Sequence, residues 1–129
     1  MRTTSLLFAL ALALVGCSVD PIDETHAGSI ANGDTVLEQD GSLYDEYNFT
    51  AAEGMKIIIT MDSTEIDPYL ILLNPEGTKV GENDDIASDN RNAKIEMVAP
   101  ARGSYRVIAN TYEKGQLGAY SLRIQTLAQ

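Results

Sequence analysis

The side chains with most capacity for chemistry are acidic and fall in two short stretches. Asp62, Glu65 and Asp67 precede an apolar run over residues 69–73, and Asn83, Asp84, Asp85 and Asp89 follow the next strand-length stretch. Ca²⁺ takes roughly six to eight oxygen ligands, at roughly 2.3–2.6 Å, from carboxylates, amide oxygens and backbone carbonyls. Asp62, Asp67, Asn83, Asp84, Asp85 and Asp89 are therefore the candidate calcium ligands. The structural alternative is that Asp67 starts a strand by accepting backbone N–H bonds while residues 83–85 form solvated turns. Residues 83–90 lack the glycine of an EF-hand loop. Spacing alone leaves both readings open.

Other chemistry has little to work with. A serine or cysteine hydrolase needs a base beside its nucleophile, usually histidine. The chain has one histidine, His26, and one cysteine, Cys17. It contains no His-Glu-x-x-His, no phosphate-cradling Gly-rich loop and no CxxC pair. Acidic residues are plentiful, but nothing in their order places two across a cleft as glycoside hydrolysis requires. No catalytic residue is assigned, and a non-enzyme is expected. Asp45 reads as a hydrogen-bond acceptor anchoring a loop. Tyr47, Tyr105 and Tyr120 read as core residues rather than a carbohydrate platform, and Tyr112 as the aromatic most open to solvent.

The elements that would position the acidic residues are strands. Residues 69–73 are an unbroken apolar run of strand length, so both faces of that strand are expected to be covered. Asn74-Pro75-Glu76-Gly77 is a turn signal: proline presets φ at its second position, and glycine tolerates positive φ. If residues 69–73 and 78–82 pair as a hairpin, its open end brings Asp67 close to residues 83–85. Elsewhere the period is two. Leu43, Asp45, Tyr47 and Phe49 alternate with Tyr44, Glu46 and Asn48; Met55, Ile57, Ile59 and Met61 alternate with more polar neighbours. The same holds for Ala93, Ile95 and Met97, for Tyr105, Val107 and Ala109, and for Tyr120, Leu122 and Ile124. Gly, Pro, Asn or Asp punctuates the gaps at roughly 8 to 12 residues, and no apolar stripe of helical period runs past residue 18. The fold class is all-β, an antiparallel β-sandwich of about seven or eight strands.

The N-terminus reads as an address. Arg2 and a short apolar run over residues 6–15 make a secretory signal peptide, too short for the ~20 residues of a membrane-spanning helix. Leu14-Val15-Gly16-Cys17 resembles the lipobox of bacterial lipoproteins, which implies a covalent lipid on Cys17 as the first mature residue. Ser18 follows, where Asp would retain such a protein at the inner membrane, so the resemblance implies the outer membrane in a Gram-negative cell. The expected organisation is a signal peptide at 1–16, a lipid-anchored tether at 17–31 that includes His26, and one β-sandwich domain at 32–129. The formal charge of −10 argues against nucleic-acid partners and against attraction to anionic lipid.

Five motifs in one order carry a second resemblance. They are Asp45-x-Tyr47-x-Phe49 with Gly54; Asp67-Pro-Tyr-Leu70-x-Leu72; Asn74-Pro75-x-Gly77 running to Asn83-Asp84-Asp85; Ala99-Pro100-x-x-Gly103-Ser104-Tyr105-x-Val107; and Gly118-x-Tyr120-x-Leu122. Over roughly residues 30–126 the chain resembles the bacterial pre-peptidase C-terminal domain of secreted proteases. The resemblance implies a jelly-roll-like sandwich, and calcium binding as in some relatives. A tether and lipid anchor, rather than a peptidase domain, precede the module in this reading. The expectation is a non-catalytic, lipid-anchored cell-envelope module that binds a protein, a peptide or an envelope polysaccharide. The alternative is an accessory or inhibitory lipoprotein acting on a separate secreted protease.

Overall fold

The computed structural model describes residues 18–128. The expected signal peptide at 1–16 and the expected lipidation of Cys17 fall outside the described residues. Nine strands form: β1 (Asp23–Ile30), β2 (Thr35–Val36), β3 (Leu43–Ala51), β4 (Lys56–Asp62), β5 (Pro68–Leu73), β6 (Lys79–Asn83), β7 (Ala93–Val98), β8 (Gly103–Thr111) and β9 (Gly118–Leu127). They make a four-stranded sheet in the order β1-β9-β4-β7 and a five-stranded sheet in the order β2-β3-β8-β5-β6. Every strand pairing is antiparallel. The fold is a β-sandwich, as the period-two pattern predicts.

The inner faces supply the core by strict alternation. Ile57, Ile59 and Met61 of β4 meet Leu122 and Ile124 of β9 in one sheet, against Leu70 and Leu72 of β5 and Tyr105 and Val107 of β8 in the other. Burial of such side chains contributes ~1.5–3 kcal/mol each, against a chain entropy of comparable size. Tyr105 is fully buried, and its hydroxyl both donates to the Ala101 carbonyl and accepts from the Ala101 N–H. That exchange ties the 99–103 corner to the start of β8.

The β5–β6 hairpin forms as its turn chemistry dictates. The Gly77 N–H donates to Asn74 O at 2.9 Å, and Gly77 takes φ 86°. Asn74 Oδ1 accepts from the N–H groups of Glu76 and Thr78 at 3.0 and 2.9 Å, closing the turn from inside. Leu70 pairs with Asn83, so Asp67 and the 83–85 segment share the open end of the hairpin.

Two expectations change here. The stretch read as a tether at 17–31 contains β1, whose eight residues all pair with β9, from Asp23 opposite Gln125 to Ile30 opposite Gly118. Its ladder is made of backbone groups, and Ile30 is its one fully buried side chain, so the sequence carries no apolar alternation to announce it. With the two-residue β2, this raises the strand count to nine. His26, read as a solvated linker residue, instead faces Tyr47 with ring centroids 4.9 Å apart and shares a hydrogen bond with Glu24 at 3.2 Å.

Candidate functional site

The third change concerns β5 and exposes the site. Pro68, Leu70 and Leu72 are buried in the sandwich, but Tyr69, Ile71 and Leu73 on the other face are only half-buried. No described residue forms a layer over that face. The apolar run thus has one covered face and one open one, contrary to the expectation that both are covered.

The outer face forms a groove of about 550 Å³, within the ~300–1,000 Å³ typical of ligand sites. Register explains its floor. Ile71 lies opposite Ile108 of β8, with Glu82 of β6 and Glu46 of β3 as the flanking positions of the same row. The next row places Leu73 between Lys79 and Arg106. Ile108 is only 5% exposed although it faces outward, because its neighbours on both strands crowd over it. Tyr44 and Tyr69 flank this aliphatic strip, and Leu37 closes it from the β2–β3 connection.

That connection is held in place by buried polar groups. Ser42 and Asn110 are fully buried. Asn110 Nδ2 donates to Ser42 Oγ at 2.9 Å and to the Leu43 carbonyl at 2.8 Å. The Leu37 N–H donates to Ser42 O at 2.7 Å, and the Gly41 N–H to Leu37 O at 2.8 Å. A buried hydrogen-bonded pair of this kind fixes one arrangement, because leaving either partner unpaired costs about 1–3 kcal/mol.

The rim charges are spent on one another. Tyr69 donates its hydroxyl to Glu82 Oε1 at 2.6 Å, and Lys79 pairs with the other Glu82 oxygen. Burial, reinforced by Glu82, pushes the Tyr69 phenol up to about 12, while Lys79 and then Tyr69 hold the Glu82 carboxyl low. Asp40 Oδ1 accepts from the Ser42 hydroxyl at 2.6 Å and from the Ser42 N–H at 2.9 Å, and these bonds hold its carboxyl below the usual range. Arg106 reaches Glu46 at 3.4 Å.

A separate polar cluster closes the sandwich edge between β1 and β3. Tyr120 donates to Asp45 Oδ2 at 2.5 Å, and the Tyr47 and Tyr120 hydroxyls share a bond of 2.6 Å. Burial raises the Asp45 carboxyl, and Asp34 beside it adds to the rise against the opposing bond from Tyr120. Asp45 is thus an acceptor, as its sequence context predicts, but for a tyrosine from the facing sheet rather than for a loop. Tyr105 and Tyr120 are core residues and Tyr47 is half-buried beside them. Tyr112 is 56% exposed.

The candidate calcium ligands divide. Asp62 ends β4 on a shallow surface with Ser63, Glu65 and Asn92. The Asn83 amide is committed: Oδ1 accepts from the Lys94 N–H at 3.0 Å and Nδ2 donates to Asp85 O at 3.1 Å. Asp89 is exposed in the 84–92 loop. Asp67 differs from these. Its N–H donates to Gln116 Oε1 at 3.0 Å and its carbonyl accepts from the Tyr112 N–H at 2.9 Å, yet Oδ1 is buried with no partner. Burial raises its carboxyl, with Asp85, Asp84 and Glu113 adding to the rise and Arg91 opposing it. An orphaned oxygen among other acids suits a cation, but the described residues hold no group of three or more His, Cys, Asp or Glu arranged for one. Asp67 with Asp84 and Asp85 is the part of the set that the hairpin brings together.

The groove residues Leu37, Tyr44, Ile71, Leu73 and Ile108 are the ones sequence reasoning missed. The signal was the unbroken run itself: antiparallel sheets commonly leave one face in water, so apolar residues at every position leave a surplus on that face.

No family model matches the chain, and no curated protein sequence does. Among solved structures, the fold is similar to a periplasmic inhibitor of g-type lysozyme from Aeromonas hydrophila, with a TM-score of 0.59 and 14% identity over 81% of this chain and 85% of that one. It is also similar to the pre-peptidase C-terminal domain of a collagenase from Bacillus anthracis, with a TM-score of 0.60 and 20% identity over 80% of this chain and 89% of that one. At these identities the likeness is one of fold.

Proposed function

We propose that the protein is a non-catalytic binding module of the bacterial cell envelope, lipid-anchored through Cys17, which engages a partner through the outer face of its five-stranded sheet. The observation that carries this reading is the open aliphatic groove over Ile71 and Ile108, on a face that no described layer covers. The carboxylates around the groove support a binding role over catalysis. Asp40 and Glu82 are both held below their ordinary range, whereas acid catalysis of glycoside cleavage needs a carboxyl raised so that it stays protonated. The single histidine is engaged with Glu24 and Tyr47 at the β1–β3 edge of the sandwich and is not among the groove's lining residues. Calcium is part of the proposal at Asp67, with Asp84 and Asp85, where it would stabilise the loop end of the sandwich.

Photo-crosslinking tests the reading. A benzoylphenylalanine at Ile71 is expected to capture a partner in living cells, and one at Thr60, on the outer face of the other sheet, is not. Crosslinks from Thr60 alone would move the binding surface to the other sheet. Crosslinks from neither position would remove the binding-module reading.

The likeness in fold to an inhibitor of g-type lysozyme favours a second reading, an inhibitory module acting on a separate secreted enzyme such as a protease. Loss of protease or lysozyme activity on mixing with the purified protein would establish it.

A further inference from the structure

The groove's charge balance and the make-up of its floor narrow what it can hold. The chain carries −10 overall, yet the groove is locally neutral. Glu82 and Glu46 are ion-paired with Lys79 and Arg106, while Asp40 is held by Ser42 with Lys114, from outside the groove lining, lying against Gly41 beside it. Two carboxylates are ion-paired and the third is bonded to Ser42 with a lysine nearby, so the groove leaves little net charge for an ionic ligand to neutralise.

A glycan is also a poor match. Sugar sites pair aromatic platforms with several uncommitted hydrogen-bonding groups, because every hydroxyl leaving water needs a partner. This chain has no tryptophan. Tyr69 and Lys79 are spent on Glu82, Arg106 on Glu46 and Ser42 on Asp40, which leaves Gln39 and Tyr44 as the lining's other polar side chains. The floor is aliphatic, from Ile71, Leu73, Ile108 and Leu37, and an aliphatic floor gains most from aliphatic side chains. Its geometry adds a spacing. Tyr69, Ile71 and Leu73 stand two residues apart on one strand face, so they repeat at roughly 7 Å, the interval at which an extended peptide presents its own same-face side chains.

From these observations, and resting on the reading of the groove as the binding site, we infer that it captures an extended, uncharged segment of a partner protein presenting aliphatic side chains at alternate positions.

The test is a titration of the ¹⁵N-labelled protein, followed by amide shifts, with three probes. They are the capped peptide Ser-Leu-Ser-Leu-Ser-Gly, the same peptide with both leucines replaced by aspartate, and chitotetraose as the glycan. The leucine peptide is expected to shift the amides of Tyr69, Ile71 and Ile108 saturably. The aspartate peptide should bind at least tenfold more weakly, and Ile71→Asp should weaken the leucine peptide at least tenfold. Ile71 points away from the core, so the variant should keep a dispersed spectrum; Ile71→Ala takes its place if it does not. No shifts at millimolar leucine peptide would overturn the inference, as would shifts confined to the other sheet, equal binding of the aspartate peptide, or saturation of the groove by chitotetraose. A crosslink from Ile71 without leucine-peptide binding would keep the groove as a partner site and overturn only this class of occupant.

Discussion

Asp45 carries a charge that its surroundings oppose from two sides: burial disfavours the ionised carboxyl, and Asp34 places a second carboxylate beside it. The tyrosine hydroxyl that bonds to it offsets only part of this. A folded-state pKa raised above 3.8 means that the folded protein binds the proton more tightly than the unfolded chain does. The corresponding stability is therefore full below pH 3.8 and is lost as pH rises through the raised value. Above the raised value the ionised Asp45 carboxylate is a standing cost. Asp45→Asn keeps an acceptor for the Tyr120 hydroxyl, removes the charge, and gains a donor toward Asp34. It is expected to raise the melting temperature at pH 7 by a few degrees, on a scale of ~4–8 °C per kcal/mol for small domains. It should also flatten the fall in stability as pH rises above 3.8. An unchanged pH profile in thermal melts would mean that the two carboxylates do not share a site.

At the scale of elements, β1 shows what holds a strand whose side chains bury almost nothing. Gly28 lies opposite Tyr120 in the β1–β9 ladder, and a Cβ at this position would come within 2.4 Å of the tyrosine ring tip. That tip cannot swing aside without breaking its bonds to Asp45 and Tyr47. Gly28→Ala should therefore destabilise the protein by about 1–3 kcal/mol, the usual range for overpacking. Amide exchange in residues 23–30 should rise more than in β4 or β8, and equal protection in all three strands would show that β1 is not pinned there. The same element shows why the tether reading arose. Backbone pairing leaves no trace in side-chain alternation, and Thr25, Ala27 and Ser29 all face solvent. By contrast, the β5–β6 hairpin was legible because Asn74, Pro75 and Gly77 each supply a specific turn interaction. The apolar run over residues 69–73 was legible as a strand but not as a site. Sequence shows that both faces are apolar, while only the assembled sheet shows that one of them has no covering layer. The proximity of Asp67 to residues 84 and 85 at the hairpin's open end was legible from the turn chemistry, and Asp85 and Asp84 do act on the Asp67 carboxyl; calcium binding by these acids belongs to the proposed function. Asn83 was not separable by spacing alone, because its amide is committed to the Lys94 N–H and the Asp85 carbonyl, and Asp62 was not separable because only the fold places it on a different surface, with Ser63 and Asn92.

Across the whole molecule, a formal charge of −10 on 129 residues sets a general electrostatic strain on which any specific cation effect must be superimposed. Repulsion among exposed carboxylates is screened by salt, with a Debye length of ~10 Å at 0.1 M, so sodium chloride alone should raise the melting temperature. Calcium added without matching ionic strength would do the same and prove nothing about a site. The informative comparison holds ionic strength constant and exchanges sodium for calcium. Binding to the folded state alone stabilises by RT ln(1 + [L]/Kd), ~2.7 kcal/mol at a hundredfold excess over Kd. At matched ionic strength, calcium is expected to raise the melting temperature saturably, and chelator to reverse the rise. Asp67→Asn should abolish the calcium increment while leaving the sodium effect intact. The variant should also be at least as stable as the parent without calcium, because it removes a partly buried carboxylate charge that Asp85 and Asp84 oppose. Asp62→Asn, on the separate surface with Ser63 and Asn92, should leave the calcium increment unchanged. A calcium increment that survives Asp67→Asn would place the ion elsewhere on the acidic surface. No increment at matched ionic strength would leave the Asp67 oxygen as an uncompensated cost of closing the sandwich end, with the module's stability resting on its core and ladders alone.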